Sequence, residues 1–206
     1  MRLPDPQLRT IDTPHGPARA HLHRPAGPPA AALVLGHGAG GGVAAKDLVA
    51  AAGAALQAGW LAVLVEQPYR VAGRRAPAPA KQLDAAWRSV LAELAETELT
   101  GLPVVTGGRS SGARVSCRTA GDGAASGVLC LAFPLLPPGK DASKSRLAEL
   151  AAVEVPVLVV QGSSDRFGMP PAAPGRQVVT LRGTHSLDSD LPGLATAVGD
   201  WLGHLG

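Results

Sequence analysis

Aromatic side chains are scarce in this sequence: three tryptophans, two phenylalanines and one tyrosine make up 3% of 206 residues. Any core must therefore be built mainly from alanine, valine and leucine, within a hydrophobic fraction of 46%. Charged residues are also few, at 17% with a net charge of +3. That is a globular composition rather than a disordered one, and the positive balance is too mild and scattered for nucleic-acid binding. The one local concentration, Arg70, Arg74 and Arg75, reads as a solvated loop. Only two cysteines occur. Cys117, in a predicted helix, and Cys130, in a predicted strand, form neither a disulfide framework nor a metal-binding spacing. They read as small buried hydrophobes of a reducing, cytoplasmic compartment. No long apolar run is present, because Gln57 and Gly59 split the window from Leu48 to Val65, so no membrane span is expected. The first six residues lack the apolar stretch of a signal peptide. The length suits one well-cored domain over residues 1–206, with no internal repeat.

The residues that are present alternate between strand and helix patterns. Leu8–Ile11 and Ala18–His23 are extended runs around the turn residues 13–17, predicting a lead-in hairpin. His21 and His23 share one face of that strand, but no third ligand accompanies them, so a surface strand is expected rather than a metal site. Ala31–Leu35 is continuously apolar, as in a strand buried on both faces. A helix is expected from about Lys46 to Ala58, a strand over Trp60–Val65, and an exposed loop over residues 70–80. Leu83, Ala86, Trp87, Val90, Leu91 and Leu94 then repeat at helical spacing. Further strands are predicted at 104–109, 127–133, 155–161 and 177–181, with helices over 113–120 and 143–152 and a final one carrying Leu191, Leu194, Val198 and Leu202. This order implies a mostly parallel sheet with helices on both faces. About twenty residues separate Phe133 from Val155, too few for a cap domain.

The motif with most chemical content is Gly108-Arg109-Ser110-Ser111-Gly112. It fits G-x-S-x-G, in which a sharp strand-to-helix turn raises a serine hydroxyl above the sheet. A serine becomes an effective nucleophile only beside a base, and the base needs an orienting carboxylate. In that architecture the acid and then the histidine follow the serine, each in a loop after a strand. Asp165, after the strand ending at Gln161, and His185, in Gly183-Thr184-His185, hold those places. Taken alone, Asp165 also suits an Asx-turn and His185 an exposed loop. His204 has the right order but sits in the last helix. Two backbone N–H donors are needed for an oxyanion. Ser111 would supply one and Ala39, in the glycine-rich loop His37-Gly38-Ala39-Gly40, the other. His37 reads as structural.

A rival reading starts from the same loop. Gly36-His37-Gly38-Ala39-Gly40-Gly41 fits G-x-G-x-x-G, and Glu66 ends the next strand as a ribose-binding acid would, which suggests an NAD(P)-binding oxidoreductase. Glu66 lies 30 residues after Gly36, against a usual ~20, and this reading leaves Ser110, Asp165 and His185 without a purpose. A P-loop is excluded, since Gly41-Gly42-Val43 lacks the lysine and hydroxyl that would meet phosphate and magnesium.

With these pieces assembled, the chain resembles the α/β-hydrolase superfamily over nearly its whole length. More closely it resembles the small capless dienelactone-hydrolase-like proteins, including the testis-expressed-protein-30 and NSL-complex-subunit-3-like group. The matching stretches are Leu35–Gly41, Gly107–Arg114, Gln161–Gly168 and Gly183–Leu187. The resemblance implies a three-layer α/β fold with Ser110 as nucleophile, Asp165 as orienter and His185 as base. It implies a small ester or thioester as substrate, with no cofactor or metal. Ser111 stands where Met or Gln is more familiar, and Thr184 where an acidic residue often precedes the histidine. Some relatives are interaction proteins, so a non-catalytic role is the main alternative. Ligands in such sheets bind beyond the carboxyl ends of the strands, which places Gly38, Tyr69, Arg70, Arg109 and Phe133 as candidate substrate contacts. Arg70 and Arg109 would then draw an anionic acyl group, or else pair within the fold, for instance with Glu66. Oligomeric state is left open.

Overall fold

The sheet is laid down by short apolar runs whose two faces are both covered. The computed structural model describes residues 2–205 apart from Ala124 and Lys140. Its strands are β1 (Gln7–Ile11), β2 (Ala18–His23), β3 (Ala32–Gly36), β4 (Leu61–Glu66), β5 (Val104–Arg109), β6 (Gly127–Leu131), β7 (Val157–Gly162) and β8 (Arg176–Leu181). They form one sheet in the order β1-β2-β4-β3-β5-β6-β7-β8. The β1–β2 hairpin is antiparallel, with Ile11 opposite Ala18, and β2 joins β4 antiparallel. From β4 to β8 all pairings are parallel. Every residue of β3, β6 and β7 is buried, which is why those segments read as apolar runs, broken only by Gln161 near the end of β7.

Among the described residues the connecting helices are α1 (Lys46–Gln57), α2 (Pro68–Val71), α3 (Ala80–Glu96), α4 (Ser111–Thr119), α5 (Leu147–Ala151) and α6 (Leu191–Gly203). The two-residue period of a strand sorts the core into layers. Leu33 and Leu35 pack with α1 and α6 on one face, whereas Ala32 and Val34 pack with α3 on the other. The periodic stripe of α3 is buried from Leu83 to Leu94. Helix α4 packs through Ala113 and Cys117 against Val128 and Cys130 of β6. Both cysteines are buried and free, with sulfurs 3.5 Å apart. No described helix is long and apolar enough to cross a membrane.

Three expectations need correction. His23 is 5% exposed, with Nδ1 2.8 Å from the Pro4 carbonyl oxygen, so it belongs to the interior and not to a strand surface. Arg70 and Val71, expected in an exposed loop, belong to the single turn α2, which Pro68 starts with its fixed φ. The helix expected over 143–152 is broken. Asp141 caps a 3-10 turn at Ala142–Lys144 through the Ser143 amide, and α5 begins only at Leu147. The break falls where the Arg146 amide donates to the Leu135 carbonyl at 2.8 Å, pinning the chain to the segment after β6.

Candidate active site

Ser110 occupies the single residue between the end of β5 and the start of α4. Its backbone has φ 52° and ψ −105°, a combination costly for any residue with a Cβ and typical of positions whose strain is functional. The Ser110 amide is anchored by donating to the Leu131 carbonyl at 2.9 Å. The motif glycines are demanded by crowding. A Cβ at Gly108 or Gly112 would overlap the Gly36 carbonyl oxygen, and one at Gly107 the Leu129 carbonyl oxygen. Backbone therefore passes against backbone where β3, β5 and α4 meet.

The three candidate catalytic side chains, from three different loops, come together in one hydrogen-bonded line. Ser110 Oγ lies 2.9 Å from His185 Nε2, and His185 Nδ1 lies 2.8 Å from Asp165 Oδ2. Asp165 is 1% exposed at its side chain, and its oxygens are well supplied with donors. The Phe167 amide donates to Oδ1 at 2.9 Å and Gln161 Nε2 to Oδ2 at 2.8 Å. Because an ionised carboxylate only accepts, Nδ1 carries the proton and Nε2 presents its lone pair to the serine hydroxyl. The Phe167 ring sits edge-on to the imidazole, centroids 4.5 Å apart. Close packing reinforces the placement: a Cβ at Gly162 would overlap the Thr184 carbonyl oxygen.

The glycine-rich loop after β3 is held by neutral donors. Gln67 donates its amide to His37 Nε2 at 3.1 Å, which leaves His37 Nδ1 protonated and donating to the Gly38 carbonyl at 2.9 Å. Burial lowers the pKa of His37, so the ring is a neutral structural element. Tyr69 donates its hydroxyl to the Ala39 carbonyl at 2.8 Å, and burial pushes that phenol up to about 12. Gly38 stands next to Ser110: a Cβ there would sit 3.7 Å from that of Ser110 and 2.8 Å from Arg109 Nη1. Ala39, Ser110, Ser111 and Phe167 share a cavity of about 270 Å³.

Of the candidate substrate contacts, Gly38 stands beside Ser110, but Tyr69, Arg70, Arg109 and Phe133 do not line that cavity. Phe133 is fully buried, turned into the core with Cys130, Leu150 and Val159. Arg70 closes its own loop by donating to the Arg74 carbonyl at 3.2 Å. Arg109 is tied inward, Nε lying 2.7 Å from Asp47 Oδ2 while Nη2 donates to the His185 carbonyl at 3.3 Å. Neither arginine pairs with Glu66, which faces Arg19 at 3.5 Å and His21 at 3.8 Å.

Sequence reasoning missed three features. Gln161 bridges Asp165, the Phe133 carbonyl and the Gly168 carbonyl; a polar residue ending an otherwise apolar strand was its only signal. Asp47, 1% exposed, is the inward partner of Arg109, and burial pushes its carboxyl up against the pull of that guanidinium. The third is a set of arginines, Arg114, Arg118 and Arg146, in the wall of the Ser110 cavity.

Residues 29–187 match the family model described as the alpha/beta hydrolase domain. The chain belongs to that family. No curated protein sequence matches this family member. Among solved structures it is similar to an alpha-beta serine hydrolase homologue from Coxiella burnetii, with TM-score 0.76 and 18% identity over 98% of this chain and 100% of that one. An α/β serine hydrolase without a lid from Xanthomonas campestris gives 0.75 and 20%, over 99% and 97%. A dienelactone hydrolase from Anabaena variabilis gives 0.74 and 17%, over 98% and 99%. At these identities the likeness is one of fold, and the eight-stranded, mostly parallel sheet with helices on both faces is the α/β-hydrolase fold.

Proposed function

We propose that this chain is a serine hydrolase that cleaves a carboxylic ester or thioester through an acyl-enzyme at Ser110. The carrying observation is the unbroken line from Ser110 Oγ through His185 to Asp165. In this reading Ser110 Oγ attacks the substrate carbonyl carbon as its proton passes to His185 Nε2, and Asp165 stabilises the imidazolium. The carbonyl oxygen becomes an oxyanion received by the Ala39 and Ser111 amides. Collapse of the tetrahedral intermediate breaks the bond to the alcohol or thiol, which leaves with the proton from His185. Water, deprotonated by the same ring, then attacks the acyl carbon; the bond to Ser110 Oγ breaks, His185 Nε2 returns the proton to that oxygen, and the acid is released. Each step uses a group this chain supplies, and no cofactor is called for. Within the family we place the chain with the small lidless, dienelactone-hydrolase-like members.

Incubation with a fluorophosphonate should add one adduct, located on Ser110, and the adduct should be absent from Ser110→Ala. With 4-nitrophenyl acetate, Ser110→Ala or His185→Ala should lower kcat about 10³-fold or more, since the three groups act as a unit. An unlabelled Ser110 together with no turnover across a panel of esters and thioesters would overturn the reading and leave a non-catalytic interaction protein.

A further inference from the structure

The wall of the Ser110 cavity has an uneven charge. Arg114 and Arg118 lie one helical turn apart on α4, and Arg146 approaches from the segment before α5; all three line the same cavity as Ser110 and Ser111. Two of them are answered by carboxylates. Arg114 makes a paired contact with Glu149 at 2.8 and 2.5 Å, and Arg118 a paired contact with Asp84 at 2.9 and 2.6 Å, with Glu149 a further 3.4 Å away. Among the described residues Arg146 has no carboxylate partner. Its Nη1 donates to the Pro134 carbonyl at 3.1 Å and the Leu136 carbonyl at 3.4 Å. Three guanidinium groups against two carboxylates leave one positive charge, and it resides on a half-buried side chain that is held in place by its own stem contacts.

A guanidinium has five N–H donors in a planar fork. Arg146 engages Nη1 alone, which leaves Nε and Nη2 to meet a carboxylate in the two-pronged geometry that arginine favours. The rest of the cavity wall is apolar, from Pro77, Ala78, Leu83, Pro134, Pro138 and Phe167. Its volume of about 270 Å³ lies just below the usual ~300–1,000 Å³ of ligand clefts. The space suits a small substrate with a short hydrocarbon body and one charged end. Burial and repulsion from Arg114 and Arg118 work against the charge of Arg146 and outweigh the pull of Glu149, so an arriving anion relieves a cost already present.

We propose that the Ser110 site selects small esters or thioesters carrying an anionic group, and that Arg146 is the residue that binds that group. This rests on the hydrolase reading for its chemistry, though the anion contact can be measured without turnover. It also moves the anion-binding role away from Arg70 and Arg109, which the fold uses internally.

Two matched pairs test it, one with the charge in the acyl part and one with the charge in the leaving group: mono-4-nitrophenyl glutarate against 4-nitrophenyl pentanoate, and 4-acetoxybenzoate against its methyl ester. In at least one pair the acid should be preferred by about tenfold or more in kcat/KM, the scale of a charge-assisted contact. The acid-to-neutral ratio should collapse to within about twofold in Arg146→Gln and survive in part in Arg146→Lys. Reading a ratio within each variant cancels any loss of folded protein. Equal or inverted preference in both pairs, or a preference untouched by Arg146→Gln, overturns the proposal. Binding of the same pairs to Ser110→Ala, followed by NMR titration, gives the turnover-free readout. Tighter binding of an acid that is lost when Arg146→Gln is added supports the anion site even if no ester is cleaved. Equal affinities refute it even if neutral esters are hydrolysed and Ser110 is labelled.

Discussion

Replacing Arg109 by methionine removes its charge while keeping much of the stem's apolar packing. Asp47, 1% exposed, then becomes a buried carboxylate without a countercharge. Burial already holds that carboxyl above its ordinary value of 3.8, and Arg109 is the foremost influence pulling it back, so the substitution raises it further. Breaking a buried ion pair by removing one partner costs ~3–5 kcal/mol. The Arg109 side chain is 19% exposed, which puts the expectation at the lower end, about 3 kcal/mol near neutral pH. The loss carries a pH signature. A folded carboxyl whose pKa is raised keeps a proton that the unfolded chain releases. Its stabilising contribution is therefore fully present below about 3.8 and is lost as pH rises through the folded pKa. The greatest slope from one proton is about 1.4 kcal/mol per pH unit, so a loss of about 3 kcal/mol spans about two pH units. Urea unfolding of both proteins between about pH 4 and about pH 8 measures it. The difference should be small at the acid end, grow with pH and level off. Adding Asp47→Leu to Arg109→Met should recover much of the stability and flatten the pH dependence. A difference constant across the range would refute the buried-charge argument. Because Arg109 also supports the His185 carbonyl, kcat should be reduced even where stability is not.

Two further substitutions probe the supports of the site. Tyr69→Phe removes the donor to the Ala39 carbonyl, worth about 1 kcal/mol; kcat on 4-nitrophenyl acetate should drop up to about tenfold with KM little changed, and an effect confined to KM would show that the Ala39 loop acts on binding alone. Gln161→Leu takes the side-chain donor from the Phe133 and Gly168 carbonyls and leaves Asp165 Oδ2 with His185 Nδ1 as its remaining side-chain donor, at about 1–3 kcal/mol for a stranded carbonyl and not additive; the urea midpoint and kcat should both fall, and an unchanged kcat would remove Gln161 from the positioning of Asp165.

The parts of the site that sequence made visible are those with fixed local rules. Ser110 was legible because a sharp strand-to-helix turn requires glycines on both flanks of its serine, and they stand there between an apolar strand and a helix. Asp165 and His185 were legible because chain order and parallel-sheet topology put the loops after β7 and β8 on the same edge. The rest depends on distances between residues far apart in the chain. Arg109 meets Asp47 with β4, α2 and α3 between them in the chain, and no local pattern marks either as a partner. Phe133 does sit at the carboxyl end of a strand, as expected, but whether its ring faces solvent or core is decided by the turn at Ala132, where φ is 50°. Arg146 looked like one more residue of a helix. The helix breaks there because its amide and guanidinium are both claimed by the segment after β6, a contact that periodicity cannot register.

The missing Cβ atoms at Gly108 and Gly112, both facing the Gly36 carbonyl, also have a mechanical meaning. With main chain lodged against main chain, the loop that carries Ala39 and the turn that carries Ser110 cannot drift apart without opening a gap between β3 and α4. Displacements of about 1 Å are enough to cost orders of magnitude in rate. In the proposed reaction, the backbone of Ser110 and the loop carrying the Ala39 amide are spaced by main-chain atoms that have no rotamers, and the Ser110 hydroxyl alone is left to turn. Under the proposed reading, the cavity wall around Arg146 lies outside this backbone contact and can be recut for a different substrate while the backbone at Ser110 stays as it is.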